Sequence, residues 1–331
     1  MIYPLPRDRL YCFTMSTANP HTSLRLRFLS RLQCFTATRG AGFWGAFLLI
    51  TIFLACLLSL PWTLCLYDLQ NLGHSAKSPD RPPSLGQWFG TDLLGRSVLA
   101  RCMLGGLISL SIGIIAAGIS IVIGVAWGMT AGYLGGRIDN VMMRVVDILY
   151  GLPYILLVVI LNISLMSLYE SYAVAWGMHS SSGQMLMGLA CLIISIAGVS
   201  WLTMARVIRG QTLSLKTQGY VQAAKAAGAG PGHIMVKHIL PNLVGPIVVY
   251  ATLTVPAAIL QESFLSFLGI GVRDPLPSWG NLASESLFVL HQGQGWWMLF
   301  WPCLLLGLTL MALNFLGEGL RVKLDPKKNQ G

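Results

Sequence analysis

Six stretches of this chain run for more than twenty residues without a charged side chain. They lie between Arg39 and Asp68, Arg101 and Arg137, Asp147 and Glu170, Glu170 and Arg206, Lys237 and Glu262, and Glu285 and Glu318. A helix needs roughly 20 apolar residues to cross about 30 Å of hydrocarbon, and each of the six can hold one. The first span centres on 43–66, the fourth starts near Gln184, and the sixth starts near Trp296. Only 10% of the 331 residues are charged and 54% are hydrophobic, with mean hydropathy +0.66. A soluble domain carries about a quarter charged residues, so this chain could not cover a water-facing surface. It reads as an all-α polytopic membrane protein with six transmembrane helices.

Lys and Arg near the span ends set the orientation. With the N-terminus inside, the inner segments hold Arg7, Arg9, Arg25, Arg27, Arg31 and Arg39; then Arg137 and Arg144; then Arg206, Arg209, Lys216, Lys225 and Lys237; and last Arg321, Lys323, Lys327 and Lys328. Lys77, Arg81, Arg96, Arg101 and Arg273 remain outside. The bias puts both termini in the cytoplasm. The net charge of +10 then faces anionic membrane lipid and is not a nucleic-acid footprint. The first span is too long and too far from the N-terminus for a signal peptide, and reads as an uncleaved anchor. Residues before Met15 are expected to be dispensable.

Cys12, Cys34, Cys56, Cys65, Cys102, Cys191 and Cys303 form no CxxC pair, and the six histidines are dispersed, so no metal site is expected. The dipeptide Gly-Lys occurs nowhere, so the chain lacks a P-loop. GAGPGH (228–233) has no βαβ context and is not a dinucleotide fingerprint. The chain is therefore not expected to be an ATPase or another enzyme.

The second span carries small residues every fourth position: Ala116, Ser120, Gly124, Gly128, Gly132 and Gly136. Small-xxx-small spacing lets helix backbones approach closely in lipid, where burial gives little drive for association. Gly124, Gly128, Gly132 and Gly136 are thus expected to form a packing face. Pro153 in the third span, Pro246 and Pro256 in the fifth, and Pro302 in the sixth are expected kink sites. Glu262 and Glu285 are placed at span edges and Asp147 at a cytoplasmic end. That leaves few buried acids to drive a proton- or ion-coupled pump.

Between the fourth and fifth spans lies GYVQAAKAAGAGPGHIMVKHILPN (219–242). Residues 219–227 are strong helix formers. Gly228, Gly230, Pro231 and Gly232 then break that helix. A second short helix is expected over 233–240, and Pro241 marks the entry to the fifth span. A helix–break–helix on one membrane face can seat in a groove of a partner protein.

This stretch resembles the EAA loop of ABC-importer permeases. Ala223, Ala224, Gly228, Leu240 and Pro241 match its pattern at the right spacing, after Gly219. Gln222 replaces the usual Glu, and His238 stands where an Ile falls, with Ile239 one place later. Four further segments are similar to dipeptide and oligopeptide permeases: FGTDLLGRSVLARCMLGGLISLSIG (89–113), GYLGGRIDNVMMRVVDILYGLP (132–153), ESFLSFLGIGVRDPLPSWGNL (262–282) and ALNFLGEGLRVKLDPK (312–327). The resemblance covers about 89–327. It is to the second permease of the pair, the type with a preceding anchor span and a Leu-Asp-Pro tail. The segment 164–184 is longer than the family's usual connection.

The resemblance implies a type I ABC-importer permease fold in the bacterial inner membrane. The implied partners are a second homologous permease, two cytoplasmic ABC ATPases and an extracytoplasmic solute-binding protein. ATP and Mg would be bound by the partner ATPase, with no cofactor in this chain. Gly219, Gln222, Ala223, Ala224, Gly228, Leu240 and Pro241 become the expected ATPase-coupling loop. The implied organisation is a basic arm (1–42), a first span with an extracytoplasmic linker (43–104), a permease core (105–319) and a cytoplasmic tail (320–331). Cargo stays open among dipeptides, oligopeptides, nickel chelates and other small solutes, and no substrate contact is identified. A stand-alone secondary transporter or channel and a purely structural membrane subunit are the competing classes.

Overall fold

The computed structural model describes residues 24–69, 81–176, 181–291 and 295–324. Met15, Lys77, most of the arm, part of 164–184 and the Leu-Asp-Pro tail lie outside the described residues. The elements are α1 (Leu24–Leu58), α2 (Leu60–Leu66), α3 (Val98–Leu134), α4 (Gly136–Tyr150), α5 (Tyr154–Trp176), α6 (Ser181–Lys216), α7 (Gly219–Ala226), α8 (Pro231–Ile234), a π-turn (Met235–Ile239), α9 (Leu240–Phe267), α10 (Trp279–Leu290) and α11 (Trp296–Leu324). Among the described residues, five helices are long and apolar enough to cross a membrane. A sixth span comes from the pair Gly42–Leu58 and Leu60–Leu66, bent by 55°. The bend has a local cause: Pro61 lacks the donor a continuing helix would need.

The centre of the molecule is the seam between α3 and α6. A Cβ on Gly124 would sit 2.6 Å from Met204 Cβ, and one on Gly132 would sit 2.9 Å from the Arg209 carbonyl. Gly128 is as tightly confined, by Ala205, Ile208 and Arg209. Ser120, fully buried, donates to Ala116 O (2.7 Å) and reaches Ala197 O (3.3 Å) on α6. The fourfold spacing thus brings two backbones together, as dispersion-driven packing in lipid requires. Gly136 is not part of this face. Helix α3 ends at Leu134, Gly135 and Gly136 take positive φ (69° and 58°), and a Cβ on Gly136 would meet nothing within 4 Å. The pair turns the chain into α4 instead.

Helix α9 packs on α3, α6 and α11. Helix α1 lies along α11, where a Cβ on Gly42 would sit 2.8 Å from Gly319 Cα. The boundaries drawn from sequence do not coincide with helix ends. Helix α1 runs unbroken through residues 42 and 43, α3 begins at Val98 and not at 105, and α11 continues past 320. Pro153 lies between α4 and α5, outside any helix, whereas Pro246 and Pro256 sit inside α9 and Pro302 inside α11. Glu262 is not at a span edge. It is fully buried within α9 and accepts from the hydroxyls of Ser266 (2.8 Å) and Ser263 (3.3 Å).

Candidate functional site

The two ends of the bundle are built differently. At one end, α10 folds back against the first turns of α3. Its N-cap is a reciprocal box: Asn281 N–H donates to Ser278 Oγ, and Ser278 N–H donates to Asn281 Oδ1. Trp279 is fully buried and donates from Nε1 to Cys102 O at 3.0 Å. Four charges close this end. Arg101, 1% exposed, donates to Asp92 (2.9 Å) and to both oxygens of Glu285 (2.6 and 2.9 Å). Arg96 donates to Asp92 at 2.7 Å. Asp68 and Asp274, both more exposed, lie 3.9 Å from Arg96 and Arg101, so each buried arginine is paired and largely hydrogen-bonded, the condition under which burial is tolerated. Sequence reading treated Arg101 as a loop charge. The structure puts it inside α3, joined to a residue 184 positions away.

The other end carries the elbow. Helix α7 stops in a Schellman turn: Gly228 N–H donates to Lys225 O and Ala229 N–H to Ala224 O, each at 3.1 Å. Gly228 has φ +83°, a conformation that costs an L-residue about 1–2 kcal/mol. A Cβ there would meet nothing within 4 Å, so the backbone and not the surrounding space demands glycine. Pro231 then starts α8 at a position where its missing donor is harmless.

The second elbow helix is not separate from the fifth span, and Pro241 does not interrupt it. The chain is helical from Pro231 to Phe267 through the π-turn. That turn closes with Leu240 N–H on Met235 O, a wider loop than an α-turn. It leaves room for the ring of Pro241, which would press on the carbonyl four residues back. It also sets Ile234 and Ile239, five apart, on one face, both fully buried. Ile239 therefore fills the apolar position for which the sequence offered His238.

One side of the elbow is anchored. Val221, Ile234, Ile239 and Leu243 are buried against Val125, Met204 and Ile208, with Ala224, Ala229 and Leu240 partly covered. The opposite side is bare: Gly219, Tyr220, Gln222, Ala223, Lys225, Ala226, Ala227, Gly228, Val236 and Pro241 are exposed. Its small residues would let another backbone come close. Gln222 Nε2 donates to Lys216 O (2.8 Å), tying α7 to the last carbonyl of α6. A glutamate could not make this bond, because a carboxylate only accepts.

Helix α4 is clamped beside the elbow. Arg209 grips both oxygens of Asp139, and Arg206 reaches Asp147 at 2.8 Å while lying 3.9 Å over the Tyr150 ring. A polar cleft of about 650 Å³ opens here, lined by Asn140, Met143, Arg144, Asp147, Arg206 and Arg209. No spacing in the sequence announced these pairs.

Residues 124–330 match the family described as binding-protein-dependent transport system inner membrane component. The dipeptide transport system permease protein DppC of Bacillus subtilis (strain 168) is 45% identical over 254 residues, 77% of this chain and 73% of that protein. The oligopeptide transport system permease protein OppC of the same organism is 40% identical over 283 residues, 86% of this chain and 84% of that protein. Among solved structures, the inward facing MetNI methionine ABC transporter aligns with TM-score 0.51 at 18% identity, covering 69% of this chain and 96% of that one. That likeness establishes a shared helical fold.

Proposed function

Because the chain belongs to the family of binding-protein-dependent transport system inner membrane components, we propose that it forms half the translocation path of an ATP-driven importer of dipeptides and oligopeptides. The elbow end lies in the cytoplasm, in keeping with Arg137, Arg144, Arg206, Arg209, Lys216, Lys225 and Lys237 gathered at that end. A second permease completes the path, and a binding protein delivers cargo at the end closed by α10. Two ATPase subunits, which hold ATP and Mg, supply the energy. One of them grips the bare side of α7.

The observation that carries this reading is the elbow itself: a preorganised knob, anchored on one side by Val221, Ile234 and Ile239 and uncovered on the other. Because α8, the π-turn and α9 are continuous, a push on α7 is delivered to the whole fifth span. The α3–α6 glycine seam and the Arg209–Asp139 fork make α4 and α6 move with it. Reversing a two-state preference from 1:99 to 99:1 takes about 5.5 kcal/mol of differential binding. Closure of an ATP sandwich between the two motors would have to provide that.

Peptide cargo is favoured over nickel because the two curated relatives named above are a dipeptide and an oligopeptide permease. A stand-alone secondary transporter does not fit a family defined by dependence on a binding protein. The test is reconstitution with a second permease, the ATPases and a binding protein. Gly228→Asp is expected to insert normally yet abolish cargo-stimulated ATP hydrolysis. Wild-type stimulation in that variant would refute the docking assignment.

A further inference from the structure

Three spans meet at one polar point within the membrane. The Tyr154 phenol of α5 donates to Gln261 Oε1 of α9 and lies 3.0 Å from Ser200 Oγ of α6. The phenol has one proton, and Gln261 Oε1 can only accept it, so Ser200 is the donor in the second bond. Two groups beside this chain of bonds are left over. Among the described residues, Gln261 Nε2 has no hydrogen-bond partner, and neither has the hydroxyl of Thr203, one turn along α6 from Ser200. Thr203 is exposed, and Tyr154, Ser200 and Gln261 are partly exposed. Ser200 lies midway along the apolar span Gly183–Lys216.

Lipid tails offer no hydrogen bonds, so polar groups at this depth face protein or a water-filled path. The direction in which the polar surface continues separates the two. One turn beyond Thr203 is Arg206, which lines the open 650 Å³ cleft with Arg144, Asp147 and Arg209. Polar groups thus run from the middle of the span to an open mouth, whereas a sealed helix interface would end them within protein.

Resting on the peptide-importer reading, we infer that Tyr154, Ser200, Thr203 and Gln261 form a peptide-contact patch on the wall of the translocation path, with the Arg206 cleft as its exit. The patch is neutral. Its free amide hydrogens suit the carbonyls of an extended peptide, and its hydroxyl oxygens suit peptide N–H groups. Such a wall recognises the peptide backbone whatever the side chains are, and it offers no ligand set for a metal ion.

The test has two arms in everted vesicles carrying the complete transporter. In the first, Thr203→Cys is challenged with a water-soluble cationic methanethiosulfonate, and labelling is resolved by site with mass spectrometry. Val122→Cys is the reference, because Val122 lies within a turn of Gly124, which packs on Met204, and is 70% exposed on the face away from the Ser120–Gly124 stripe. Thr203→Cys is expected to react at least about tenfold faster, since a permanent charge stays out of hydrocarbon. Equal rates with and without ATP would overturn the inference and mark the patch as lipid-facing or sealed against the second permease. In the second arm, the vesicle lumen is loaded with binding protein and a radiolabelled tripeptide, and Gln261→Leu is expected to lower ATP-driven release of the peptide to the bath about tenfold, the worth of one or two desolvated hydrogen bonds. Release within about twofold of wild type would count against the patch, that being the size of an ordinary surface effect. If the wild-type transporter moves no peptide at all, the cargo reading falls, and the labelling contrast still decides whether the patch is wet.

Discussion

The α10 end and the elbow end solve the same problem in opposite ways. At the α10 end, every carboxylate of the Asp92–Arg96–Arg101–Glu285 group is answered from within the chain, and Trp279 is sealed under its cap. At the elbow end, α7 is satisfied on one side and bare on the other. Internal pairing makes a lid that needs nothing else. Half-pairing makes a surface that is rigid enough to be pushed and free enough to be held. Substitutions at the two ends should accordingly separate folding from coupling.

The largest effect is expected from Arg101→Met. It removes a fully buried cation and leaves Asp92 and the partly exposed Glu285 to Arg96 alone, and breaking a buried pair in this way costs up to about 3–5 kcal/mol. Thermal unfolding of the purified chain should fall sharply, and an unchanged midpoint would mean that the α10 end is not held by its charges. Gly128→Leu comes next. It forces a side chain against the α6 backbone and should cost roughly 1–3 kcal/mol by overpacking, with the same readout. Gly228→Ala follows, at about 1–2 kcal/mol of backbone strain confined to the elbow. Global unfolding should barely move, while cargo-stimulated ATP hydrolysis drops; equal loss of both would erase the distinction between the ends. The smallest effect on folding belongs to Gln222→Glu. Stability should stay within about 0.5 kcal/mol, as for other exposed sites. The lost bond to Lys216 should loosen α7, which hydrogen exchange at residues 219–228 would register.

How much of this could be read beforehand depended on the range of each interaction. The spans and the elbow were legible because charge-free runs and a Gly-Pro break act over a few residues. Gln222 was recognised as unusual, but its use as a donor to Lys216 was not, because the bond bridges two helices across the turn at 217–218. Gly136 was miscounted because fourfold spacing continues past the end of α3, where the chain has already left the helix. Helix α10 went unseen, since a short helix folded against others carries no long apolar run. Tyr154, Ser200 and Gln261 are ordinary polar residues in three separate spans, and only their meeting gives them a reading.

The sequence by itself determined which segments are apolar enough to cross a membrane and where the helix–break–helix elbow lies, because hydrocarbon is an unforgiving solvent and turn chemistry is local. Tertiary structure alone decided which charges neutralise one another, which glycines are crowded and which polar groups are left over. Those outcomes depend on distances between residues far apart in the chain, as with Arg101 and Glu285, and composition and spacing carry no record of such distances.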